Sequence, residues 1–288
     1  MLNRRDILKS LTAAGALSLL APGMERVFAE AQKLGIKQSV CLWCYGGYLN
    51  DKKISFEDFC KFCQELGLKS IELTGPGEWE TMKKYGLICA MVPSAGIGWG
   101  FNRVENHEGL FENTKQAIDR AADAGFPNVI CFSGNCEGMD KKEGLKNCIL
   151  GLKEIVPYAA EKNIILCLEF LNSFGHGDYM ADSTDWCVEV VHGVASDHFK
   201  VLYDIYHAAE MGENPLEDIR KHHLCWGHYH TGGYPGRNEI DKESQTLDYV
   251  ELMHAIAESG YQGYVGQEFC PRRDALQSLK EAFELCDI

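Results

Sequence analysis

The sequence predicts a (β/α)8 TIM barrel built as one domain, and two observations carry that prediction. Short apolar, β-branched runs alternate eight times with amphipathic helical segments, the order of a parallel sheet closed into a ring and wrapped by helices. Late in the chain, four successive runs end on an acid or an imidazole, at Glu169, Asp204, His230 and Glu268.

Taken in order, residues 38–44 read as the first strand and Gly46-Gly47 as the turn after it. Ser55 caps the next helix, whose apolar face is Phe56, Phe59, Cys60, Cys63 and Leu66, and Gly67 ends it. Residues 70–73 are the second strand, 79–85 a short helix, and 87–92 the third strand, closed by Pro93. A glycine-rich loop over 94–105 carries Trp99 and Phe101, and loops of that length usually serve function. Helix 107–124, strand 129–132 and a helical stretch over 140–162 follow, with Pro157 expected to break or kink the last. Strand 164–168, helix 183–194, strand 201–203, helix 215–221, strand 224–230, helix 248–259, strand 264–267 and helix 274–285 complete the series.

Residues 1–31 read as an address, not as part of the fold. Arg4-Arg5 precedes a mild apolar segment over 11–20, too short to span a bilayer, and small-residue cleavage sites follow at Val27-Phe28-Ala29 and Ala29-Glu30-Ala31. This is the pattern of a twin-arginine export signal and points to a periplasmic or exported protein without a stable membrane anchor. The alternative is an amphipathic N-terminal helix on a cytoplasmic protein. The barrel then occupies 32–288. The 13 cysteines, scattered along the chain, make no compact disulfide framework, which suits an oxidising compartment poorly. A net charge of −14 argues against a nucleic-acid surface and leaves a small-molecule substrate as the expected partner. Oligomeric state is left open, a homo-oligomer included.

Active residues of parallel barrels gather at the C-terminal ends of strands, where Glu169, Asp204, His230 and Glu268 are expected. Three carboxylates in one place repel and take up protons unless a cation joins them. A set of carboxylates plus an imidazole suits a divalent metal ion: Mn²⁺, Mg²⁺, Co²⁺ or Zn²⁺. His228 shares a strand face with His230, but His230 is nearer the strand end and is the preferred ligand. His222 and His223 belong to the opposite mouth. The spacing Cys41-x-x-Cys44, then Cys60-x-x-Cys63, matches a four-cysteine zinc site, yet a strand and an amphipathic helix would not converge those thiols, and packing is the better reading. His207, three residues past Asp204, and Arg237, in the loop after strand seven, are expected to contact substrate, Arg237 by gripping a carboxylate. The competing reading of Arg237 is a surface ion pair with Glu239. Trp43, with Trp99 or Phe101, is a candidate pocket wall.

The motifs Cys167-Leu-Glu-Phe-Leu-Asn172, Tyr203-Asp-Ile-Tyr-His207, Gly227-His-Tyr-His-Thr231, Pro235-Gly-Arg-Asn-Glu239 and Gly266-Gln-Glu-Phe269 resemble those of hydroxypyruvate isomerases, within the xylose isomerase-like barrels of sugar isomerases and epimerases. The resemblance spans residues 36–288 and includes Phe126-Pro-Asn-Val-Ile-Cys-Phe-Ser-Gly134. It implies metal binding by Glu169, Asp204, His230 and Glu268, with Glu169 and Glu268 as an acid–base pair. The implied reaction interconverts hydroxypyruvate and 2-hydroxy-3-oxopropanoate. One position departs: the hydroxypyruvate isomerase pattern has Gln where His230 stands, whereas ketose 3-epimerases carry His, so a ketose 3-epimerase or other sugar isomerase is the alternative. A metal-dependent phosphodiesterase and a non-catalytic sugar binder on the same barrel are weaker readings.

Overall fold

A computed structural model describes residues 35–288; the expected export signal over 1–31 lies outside the described residues. Seven parallel strands form one sheet: β1 (Lys37–Cys41), β2 (Ser70–Glu72), β3 (Asn128–Cys131), β4 (Ile165–Glu169), β5 (Phe199–Asp204), β6 (Trp226–Thr231) and β7 (Tyr264–Gln267). Their order is β2-β1-β7-β6-β5-β4-β3. The helices are α1 (Gly46–Lys52), α2 (Phe56–Leu66), α3 (Pro76–Lys84), α4 (His107–Ala124), α5 (Lys141–Glu161), α6 (Thr184–Val194), α7 (Ile205–Glu210), α8 (Pro215–His222), α9 (Tyr249–Glu258) and α10 (Ala275–Cys286). Among the described residues, no helix is long and apolar enough to cross a membrane.

The gap between β2 and β3 is spanned by residues 88–92, within the third strand expected over 87–92, which bridges Ser70 at Ile88 and Val129 at Val92, both in parallel sense. Its middle departs from a regular ladder because side chains take over the pairing. The Ala90 N–H donates to Ser70 Oγ at 2.8 Å, and its carbonyl accepts from Asn128 Nδ2 at 2.8 Å. Every buried backbone group needs a partner, and here Ser70 and Asn128 supply what a neighbouring strand would. The ring is therefore eight-staved with one irregular stave, so the barrel expectation holds.

Local chemistry accounts for the helices. Ser55 Oγ accepts the Asp58 N–H at 3.0 Å and Gly67 closes α2 in a left-handed conformation, as the sequence indicates. On its inner face Phe59, Cys60 and Cys63 are buried; burying the Phe59 ring alone stabilises by about 2–3 kcal/mol. Three expectations are corrected. Residues 42–44 form a 3₁₀ turn, and Gly46-Gly47 opens α1 where a turn was expected. Pro157 does not end its helix: α5 runs through it. The carbonyl that loses its donor belongs to Lys153, on the exposed face, where water can reach it.

Register decides what meets at the C-terminal mouth. Asp204 pairs with His230 across β5 and β6, and His230 with Gly266 across β6 and β7, while Glu169 stands beside Leu202. The last residues of β4 and β5, with the end of β6 and the residue after β7, thus face one another over the barrel axis.

Candidate metal and catalytic centre

Glu169, Asp204, His230 and Glu268 do converge: each offers a donor atom within 4.8 Å of the others, and all four side chains are buried. Asp204 has two tasks. Its Oδ1 accepts the His207 N–H at 3.0 Å as the cap of α7, and its Oδ2 faces the cluster. His230 Nδ1 lies 2.7 Å from Glu268 Oε2 and 3.7 Å from Glu169 Oε1, yet this nitrogen makes no hydrogen bond. A buried imidazole nitrogen left without a hydrogen bond, among carboxylate oxygens, is the arrangement of ligands aimed at a common point. Charge agrees: three carboxylates against the one guanidinium of Arg237 leave −2, which a divalent cation cancels. The residues present therefore fit such an ion.

Electrostatics shows how the cluster behaves without one. Burial pushes Asp204 up to about 8 and raises Glu169. Glu268 goes the other way: burial opposes its charge, but His230 and Arg237 hold it well below the usual carboxylate range. Burial would lower His230, and Cys41 and Glu268 outweigh it and raise the imidazole.

Arg237 reaches the centre from the loop after β6. Its Nη2 donates to Asp204 Oδ2 at 3.0 Å and Glu268 Oε2 at 2.5 Å, and its Nε to the Glu268 carbonyl at 3.2 Å. The residue sits at φ 56°, a left-handed conformation that costs a non-glycine residue energy and gathers at functional sites. The Cys270 N–H, donating to the Arg237 carbonyl at 2.7 Å, fixes it there. Glu239 does not pair with Arg237; it accepts from the Arg272 and Arg273 backbone N–H groups at 2.9 Å each.

His207 is buried beside Arg237, with Nε2 2.7 Å from Arg237 Nη1 and Nδ1 2.6 Å from Asn172 Nδ2. Burial, and then the guanidinium, hold its pKa well below 6.5, so the ring is neutral. Trp43 takes the wall position, and more: its Nε1–H donates to Glu268 Oε1 at 2.7 Å. Phe101 instead packs on His107 and Phe111, and Trp99 is not among the pocket's lining residues. A cavity of about 420 Å³ opens over Glu169, Glu268 and Arg237, walled by Leu73, Ile97, Phe132 and Leu171.

Four residues at or under the site escaped the sequence reading in these roles: Glu72, Asn172, His176 and His228. His176 lines the cavity and stacks edge-on to His207 at 5.1 Å. Asn172 had a usable signal, lying three residues past Glu169 as His207 lies past Asp204. His228 is set below the mouth against Glu72, 2.8 Å away, and His230 occupies the outer position.

Fold and site together define a (β/α)8 barrel with a carboxylate–imidazole centre at its catalytic mouth. More particularly, the chain belongs to the xylose isomerase-like TIM barrel family, whose model matches residues 60–287. It is 23% identical over 242 residues to the Drosophila melanogaster protein named "Putative hydroxypyruvate isomerase", covering 80% of this chain and 91% of that one. It is 25% identical over 244 residues to a 2-oxo-tetronate isomerase of Haemophilus influenzae, covering 79% and 92%. A solved D-psicose 3-epimerase from Clostridium cellulolyticum, with D-tagatose, shares the fold at TM-score 0.68 and 16% identity, over 88% of this chain and 100% of that one.

Proposed function

We propose that this chain is a metal-dependent isomerase of small α-hydroxycarbonyl compounds, interconverting hydroxypyruvate and 2-hydroxy-3-oxopropanoate. The observation that carries the reading is the convergence of Glu169 and Glu268, which line one pocket, with the buried Asp204 and His230. Relatives named as isomerases of hydroxypyruvate and 2-oxo-tetronate support it.

The chemistry follows from the residues. One glutamate carboxylate takes a proton from the hydroxymethyl carbon beside the carbonyl, leaving an enediolate. The other glutamate, as acid, delivers a proton to the former carbonyl carbon, while the hydroxyl proton passes between the two substrate oxygens. A divalent ion held by Glu169, Asp204, His230 and Glu268 supplies Lewis-acid stabilisation of the charge developing on those oxygens. Trp43 orients the Glu268 carboxylate, and neutral His207, engaged by Arg237 and Asn172, positions the guanidinium beside the pocket. With Asp204 and Glu268 engaged as ligands, the Arg237 fork would be free to bind the substrate carboxylate.

A second reading, a ketose 3-epimerase, has its own support. The cavity of about 420 Å³ is roomier than a three-carbon acid requires and its walls are largely apolar. Purified protein with Mn²⁺ or Mg²⁺ should convert hydroxypyruvate to its aldehyde isomer; failure there with epimerisation of a free ketose selects the second reading. Export through the residue 1–31 segment belongs to the same proposal, and its test is recovery of the protein in the periplasmic fraction and loss of that fraction in an Arg4→Lys, Arg5→Lys variant.

A further inference from the structure

β2 ends on Glu72, whose carboxylate is buried beneath the centre with neither oxygen hydrogen-bonded. Its Oε2 stands 2.8 Å from His228 Nε2 and 3.7 Å from His230 Nε2. Space for it is cut by Gly266: a Cβ there would lie 2.1 Å from Glu72 Oε1 and 2.8 Å from His230 Cδ2. A carboxylate in this setting is costly unless cationic or N–H groups face it. The groups that face it are the two imidazoles, with the Cys41 thiol 3.6 Å from His230 Nε2 on the other side.

We infer that Glu72 is a positioning residue for the metal centre: seated in the Gly266 notch, its negative charge 3.7 Å from His230 Nε2 favours the proton on that nitrogen and leaves the Nδ1 lone pair toward Glu169, Asp204 and Glu268. A neutral imidazole carries its proton on one nitrogen only, so a carboxylate charge that favours the proton at Nε2 leaves Nδ1 free to ligate. Metal-binding imidazoles commonly gain orientation and basicity from a carboxylate on their other nitrogen. His228 flanks the same carboxylate from below and keeps it from turning away. The inference rests on the reading of the four outer residues as metal ligands.

The test is calorimetric titration of the metal-stripped full-length protein with Mn²⁺ and Co²⁺. Glu72→Gln should bind either ion about 10- to 100-fold more weakly than wild type and alter the visible absorption of bound Co²⁺. Gly266→Ala, which keeps the carboxylate but fills its notch, should weaken binding in the same direction. Cys41→Ser should stay near wild type. Wild-type affinity in a folded Glu72→Gln protein overturns the inference, as does a loss in Cys41→Ser equal to that in Glu72→Gln. If the variants do not fold, ¹⁵N spectra of wild-type His230 decide: protonation at Nε2 supports the assignment, and protonation at Nδ1 in the metal-loaded protein contradicts it. A wild-type protein that binds neither ion sinks the metal reading together with this inference, whereas equal tight binding by wild type and variant sinks the inference alone.

Discussion

Arg237 and Asp204 are joined by a 3.0 Å ion pair at the bottom of the pocket, and the same guanidinium nitrogen reaches Glu268 at 2.5 Å. The guanidinium therefore bridges two candidate metal ligands of the site. Replacing Arg237 by Gln should raise KM for hydroxypyruvate about 10- to 100-fold, the worth of a charge-assisted pair, while leaving KM for a neutral ketose within about threefold. Steady-state kinetics on both substrates measures this; a loss confined to kcat on both contradicts the carboxylate grip.

Trp43 should matter to chemistry and hardly at all to the fold. The residue is 51% exposed, yet its indole N–H meets Glu268 at 2.7 Å. Trp43→Phe removes one hydrogen bond to a charged group, about 1.5–3 kcal/mol, so kcat should fall roughly 10- to 100-fold. The melting temperature and Mn²⁺ affinity should stay close to wild type. An unchanged kcat contradicts the orienting role.

Metal binding should release protons. In the metal-free site burial pushes Asp204 up to about 8, and Glu169 and His230 are also raised. A carboxyl that keeps its proton when folded but loses it near pH 4 when unfolded makes the metal-free protein less stable as pH rises from about 4 to 8. A cation displaces that proton, so affinity should rise over the same window. Calorimetry at pH 7 in two buffers of different ionisation enthalpy should show at least about one proton released per ion; no release contradicts the account.

The sign reverses at Glu239. Burial would raise its pKa, but the Arg273 N–H, with Ser278 and the Arg272 N–H, holds it below the usual value. Its contribution to stability is present above about pH 4.3, the unfolded value, and is lost as pH falls through the lower folded value. Glu239→Gln should cost about 1–3 kcal/mol at pH 7, and the gap from wild type should close between about pH 5 and 3. Chemical denaturation across that range checks it, and a gap independent of pH contradicts the assignment.

Glu169, Asp204, His230 and Glu268 were legible in the sequence because each terminates an apolar run, and a parallel barrel sends the ends of such runs to one place. Asp204 serves both roles a strand-end acid can take, since one oxygen caps α7 and the other faces the site. Glu72 escaped because β2 is three residues long and Leu73 follows it, so no apolar run ends visibly at the acid. The irregular third stave was invisible for another reason: Ser70 and Asn128 replace the backbone partners of Ala90, and no local pattern announces pairing between residues so far apart in sequence. Gly46-Gly47 misled as a turn because glycine permits many conformations and dictates none.

The most direct test of the central claim, proton transfer at the four-residue centre, is exchange of a carbon-bound hydrogen in D₂O. Wild-type protein with Mn²⁺ should place solvent deuterium on the hydroxymethyl carbon of hydroxypyruvate, followed by NMR. Glu268→Gln should cut the rate by at least about a thousandfold, the order expected for a positioned acid–base group, while substrate still binds. Exchange at the wild-type rate in Glu268→Gln would contradict the account.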